Sequence, residues 1–147
     1  VPSKWTNGGL RRVLDGTFNL TSGVVKVMLL NTAYVPDPDH EFVSSLSAFE
    51  MSGTGYVGGF GGSGRKTLAG KAFAKDDTLN CATMDATDPT WAGADFGTAG
   101  FMAIVQEVTN NGDSPVLAIL DLGTGGVLTM GGTFTVQLGS FALKLSA

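Results

Sequence analysis

The residues in this chain that can do chemistry fall into a few short segments. Gly53-Thr54-Gly55-Tyr56-Val57-Gly58 spells G-x-G-x-x-G. In a dinucleotide site those glycines join a strand to a helix, and an acidic residue follows about 20 residues on. Asp76 and Asp77 lie near that distance, but a helical pattern precedes the glycines and more glycine follows them. Gly59-Phe60-Gly61-Gly62-Ser63-Gly64-Arg65-Lys66-Thr67 is close to a P-loop, with Arg65 placed between the last glycine and the lysine. That one-residue shift turns the lysine away from a phosphate cradle, and the segment runs on into a strand pattern. Both segments read as surface turns, and no cofactor is expected.

Asp37, Asp39, His40 and Glu41 are the one group that combines acids with the single histidine. Metal ligands must converge, and neighbours in a tight turn diverge. Capping and turn formation account for them, with Asp39 as a helix cap. Asp85 and Asp88 are a carboxylate pair near Trp91 and suggest glycan hydrolysis. Turn shaping by the two aspartates and a core position for Trp91 is the reading preferred here. Cys81 is the sole cysteine and reads as a small buried hydrophobe. Neither a catalytic residue nor a metal ligand is expected.

The elements that must position these residues are mostly short strands. Val24–Leu30 is an apolar run that fits a strand buried on both faces. Asn31 and Thr32 begin a turn, and Pro36 and Pro38 forbid regular pairing. Phe42, Val43, Leu46 and Phe49 recur at helical spacing, predicting a helix over residues 40–49. Leu10, Val13 and Leu14 predict another, with Thr6 or Asn7 as N-cap and Gly16 at the C-terminal end. Further strands are expected at 67–74, 78–82, 91–96, 100–108, 116–122, 127–129, 133–138 and 141–145. Asn110-Asn111-Gly112-Asp113 is a hairpin turn signal. The fold class is therefore mainly β: an antiparallel β-sandwich, jelly-roll-like or immunoglobulin-like, with two short helices in the N-terminal third. Residues 1–147 are expected to form a single domain, with 1–20 as a helical docking segment.

Composition narrows the function classes. Only 15% of the 147 residues are charged, against about 25% in a typical soluble domain. Apolar residues make up 43%, which favours an assembly over a free monomer. Residues 1–75 carry a net +3 and residues 76–147 a net −7. No dense basic stripe suits nucleic acid. No stretch approaches the roughly 20 apolar residues that span a bilayer, and the first apolar run, at Val24, is too short for a secretion signal.

Several motifs together resemble a recurrent family of small virion structural proteins of tailed bacteriophages. They are Thr6-Asn7-Gly8-Gly9-Leu10, L-L-N-T-A-Y-V-P-D-P-D-H-E-F from Leu29, and S-G-T-G-Y from Ser52. L-A-G-K from Leu68, D-A-T-D-P-T-W from Asp85 and P-V-L-A-I-L-D-L-G from Pro115 complete the set. The resemblance implies a capsid decoration, or cement, protein on the outer surface of the virion. It would bind the major capsid protein and its own copies, as a homotrimer. A tail or fibre component that binds a host-surface glycan is the alternative. Trp5, Arg11, Arg12, Tyr56, Phe60, Arg65 and Lys66 are the interface candidates, from the N-terminal segment and the glycine-rich loop.

Overall fold

A computed structural model describes residues 3–139 and 141–143. In chain order the elements are β1 (Ser3–Trp5), α1 (Asn7–Leu14), β2 (Lys26–Asn31), β3 (Lys66–Thr67), β4 (Ala72–Asp76) and β5 (Cys81–Asp85). They continue with β6 (Thr90–Ala94), β7 (Thr98–Val105), β8 (Val116–Asp121), β9 (Val127–Leu128), β10 (Gly132–Thr135) and β11 (Phe141–Leu143). All pairings are antiparallel. The main sheet runs β1-β8-β7-β2-β3, with β9 paired to the start of β7. β10 pairs with β6, and β4, β5 and β11 form a third sheet.

The two-faced apolar runs explain the centre. Val27 and Leu29 of β2 and Met102 and Ile104 of β7 face one core, which Trp91, Phe96, Met84 and Tyr56 fill from the other side. Met28 and Leu30, with Ala103 and Val105, face a second core covered by Tyr34, Val43 and Leu46. β7 and β8 are joined by the hairpin loop expected at Asn110–Asp113. The Asp113 carboxylate accepts from the Thr109 and Asn110 amides there.

The N-terminal segment forms its helix with Thr6 as the cap. Its Oγ1 accepts from Gly9 N at 2.9 Å and donates to Val116 O at 2.6 Å. A side chain at Gly9 would meet Leu117 O at 2.4 Å, so only glycine lets α1 lie this close to β8. The preceding Ser3–Trp5 is an edge strand on β8 that helix periodicity did not suggest. Leu14 is exposed, because the face against β8 carries Gly9 and Val13.

Three expectations are corrected. Residues 40–49 form no α-helix but two single 3₁₀ turns, Val43–Ser45 and Ser47–Phe49. The Val43 and Ser44 amides donate to Ser114 O and Asn111 O on the β7–β8 loop instead of waiting for an i−4 carbonyl. The fold thus has one helix rather than two among the described residues. The strand expected at 67–74 is broken at Gly70, whose φ is +60°. The strand expected at 78–82 begins at Cys81 instead. Asp76 Oδ1 accepts from the Thr78 and Leu79 amides, and Asn80 has φ +50°, so the intervening residues are the hairpin turn. Of the last expected strand, 141–145, residues 144–145 lie outside the described residues.

Candidate functional site: a buried ion cluster and the exposed surfaces

The densest polar chemistry lies beneath the glycine-rich loop. The Arg65 side chain is fully buried, at 0% exposure. Its Nε and Nη2 donate to the two oxygens of Glu50 at 2.8 and 2.7 Å. Its Nη1 donates to Glu107 Oε1 at 2.9 Å and to Asn111 Oδ1 at 3.0 Å. Lys26 bonds the other oxygen of Glu107. The Tyr56 hydroxyl donates to Glu50 Oε1 and accepts from Leu29 N on the central strand. Two loop amides close the set: Gly59 N on Glu50 and Gly61 N on Glu107. Two cations thus meet two carboxylates, and a planar fork matches a carboxylate as a bidentate pair.

The cluster's protonation follows from this geometry. Burial is the largest influence on Arg65 and opposes its charge. The bonds and charge of Glu50, then those of Glu107, outweigh burial and hold its pKa above the ordinary value. For Glu107 burial again acts first and upward. The bonds from Lys26, the Gly61 amide and Arg65, with the Lys26 charge, bring its pKa below the usual carboxylate value. Burial pushes the Tyr56 hydroxyl up, and the neighbouring Glu50 charge adds to this. Arg65 and Glu107 therefore stay charged at neutral pH, and the cluster works as a clamp on the loop.

No family model, curated protein or solved structure matches this chain.

The interface candidates separate in space. Tyr56 and Arg65 meet at Glu50 but are buried, so in this fold neither offers its side chain to a partner. The glycine-rich loop, read from the sequence as a surface turn, is pinned from beneath. A side chain at Gly64 would meet the Tyr56 ring at 2.4 Å, and Trp91 Nε1 donates to Gly64 O at 2.7 Å. Phe60 remains exposed on the loop surface, and Lys66 is half-buried in β3. Arg11 and Arg12 meet at Glu41, at 3.4 and 3.0 Å. Arg11 is exposed and also pairs with Asp15. Arg12 lies over the Phe42 ring, 5.3 Å from its centroid. Trp5 packs half-buried against the first core, and its buried Nε1 has no partner among the described residues.

The other segments with chemical potential are spent on turns. Asp37 accepts from Asp39 N, Asp39 from the Asn7 amide group, and His40 bonds the Tyr34 hydroxyl. With Glu41 turned to the arginines, the four point to four different partners. Asp85 accepts from Ala86 N and Asp88 from Leu138 N, while Trp91 lies in the core. Gly53 and Tyr56 close a tight turn through mutual backbone bonds, with no helix after it.

Sequence reasoning missed Glu50, Glu107, Lys26 and Asn111 as partners of Arg65. One signal was available. Lys26 interrupts an apolar run read as buried on both faces, and a lysine there demands a carboxylate. A second omission is an exposed apolar stretch: Val127, Leu128 and Met130 are 40%, 59% and 83% exposed. Shallow grooves beside them are lined by Leu122, Thr133, Phe134 and Val136. Among the described residues, no ionisable one lines either groove.

Proposed function

We propose that this chain is a structural virion protein that binds the outside of an assembled phage capsid as a homotrimeric decoration protein. The observation that carries the reading is the uncharged apolar surface around Val127, Leu128 and Met130. Large apolar side chains exposed together on one segment mark association surfaces, and they agree with a composition poor in charge. The resemblance in motif order supplies the capsid as partner. The finer fold belongs to the same proposal: the main sheet and the β6–β10 pair are the two layers of a sandwich around the Trp91 core. Arg11, exposed beside Glu41, and Phe60 are the remaining candidates for contact with the capsid.

In function the protein would bridge joints between capsid subunits. Binding the assembled shell and not its separated subunits stabilises the shell by mass action. The test is stoichiometry. Purified particles should hold this protein in copy numbers comparable to those of the major capsid protein. A handful of copies per particle, located at the tail, would refute the reading and favour a glycan-binding tail component.

A further inference from the structure

Asn111 and Gly112 form the tip of the β7–β8 loop, directly above the ion cluster. An asparagine followed by glycine is prone to deamidation, because no side chain shields the glycine nitrogen from the asparagine side chain. Each reacting group here is held elsewhere. Arg65 Nη1 donates to Asn111 Oδ1 at 3.0 Å. Gly112 N, the attacking atom, donates to Asn110 Oδ1 at 2.7 Å. The Asn111 carbonyl accepts from Ser44 N at 2.9 Å, which fixes the peptide plane between them. Attack requires the first two bonds to break and the plane to turn.

We propose that Asn111 is a self-modification site whose deamidation is gated by the Arg65 cluster and by the turn of Asn110. Once opened, Gly112 N loses its proton to solvent base and bonds to Asn111 Cγ. The side-chain nitrogen leaves as ammonia, and a cyclic imide remains. One water opens the imide at either carbonyl, giving aspartate or isoaspartate. Asparagine and water are consumed and ammonia is released, with no change of oxidation state. The product matters to the fold. Aspartate adds a third carboxylate to a cluster balanced at two cations and two anions. Isoaspartate reroutes the main chain through the side chain and shifts the carbonyl that holds Ser44, and with it the 3₁₀ segment over the second core. Modification would therefore loosen this face progressively with age.

The experiment follows both Asn-Gly sites of the chain by peptide mass spectrometry during incubation in mildly alkaline buffer. The second site, Asn7–Gly8, bonds Asp39 and lies outside the cluster, so it serves as the internal control. In the folded wild-type protein Asn111 should convert at least about tenfold more slowly than in the urea-unfolded chain, equivalent to about 1.4 kcal/mol of local opening. Asn110→Ala, which frees Gly112 N, and Arg65→Met, which frees Oδ1, should each speed Asn111 severalfold and leave Asn7 unchanged. Equal rates in folded and unfolded chains would overturn the proposal. So would variants that leave Asn111 unaffected, or that accelerate Asn7 equally, which signals global unfolding. If Arg65→Met does not fold, Asn110→Ala decides alone.

Discussion

Replacing Arg65 with methionine tests whether the ion cluster holds the glycine-rich loop. Methionine fills much of the volume but supplies no donor. Glu50 would keep the Tyr56 hydroxyl at 3.3 Å and Gly59 N at 3.0 Å and lose the one cation that pairs with it among the described residues. Glu107 would keep Lys26 and Gly61 N. The cost is therefore that of one stranded buried carboxylate, about 3–5 kcal/mol. That is a large part of the roughly 5–15 kcal/mol that holds a domain of this size together. Urea unfolding followed by the fluorescence of buried Trp91 measures it. Acid provides the sharper diagnostic. In the wild type the Glu107 pKa is lowered on folding, so its contribution is complete above the ordinary glutamate value of 4.5 and is lost as pH falls through the folded value. In the variant Glu107 lacks the Arg65 bond that helps to lower its pKa, so less of this acid-labile stability is present to be lost. The gap between the two proteins should thus be widest at neutral pH and shrink on acidification. A loss below about 1 kcal/mol at neutral pH, or a gap that widens in acid, would refute the argument, since a solvated cluster behaves that way.

Four further outcomes follow from the same geometry. Arg65→Lys should also destabilise at neutral pH, by less than the methionine variant, because a point charge cannot replace the two parallel bonds to Glu50. Gly64→Ala should cost about 1–3 kcal/mol in thermal unfolding, because its Cβ would press on a Tyr56 ring that Trp91 and Phe96 hold in place. Thr6→Val should cost about 1–2 kcal/mol, losing a helix cap and leaving Gly9 N without its acceptor; an unchanged melting curve would refute the cap. Arg11→Ala should leave stability within about 0.5 kcal/mol of wild type while weakening particle binding in a salt-dependent way. Undiminished occupancy at low and high salt would remove Arg11 from the contact surface.

The central strands were legible because their sequence signal and their environment agree. The apolar run around Met28 and Leu30 and the two-faced run Phe101–Val105 lie where both faces of the main sheet are covered. The Asn110–Asp113 turn was equally plain, because its polar side chains bond their own backbone. The 40–49 segment misled because its apolar spacing serves two purposes. Val43 and Leu46 do point to one core, but through 3₁₀ turns whose amides are satisfied by a loop some 70 residues away in sequence. Periodicity registers the buried face and not the competing hydrogen-bond partner.

The functional surface was harder to read for a related reason. Glycine density around Tyr56 and Arg65 suggested an exposed, pliable loop. Yet a missing side chain also permits the closest approach, and at Gly64 that approach is taken up by a tyrosine ring and a tryptophan bond. Burying Arg65 then requires long-range carboxylates from Glu50 and Glu107, 15 and 42 residues away. Such pairing leaves no local pattern. What this costs in desolvation it returns as placement, since each carboxylate also takes one loop amide, at Gly59 and Gly61. A loop fixed in this way presents Phe60 at a set position without ordering the chain again on binding, which lowers the entropic cost of docking. If Phe60 touches the capsid, Phe60→Ala and Arg65→Met should both weaken particle binding, the first without changing the melting temperature. Binding unaffected by Phe60→Ala would leave the Val127–Met130 surface as the contact.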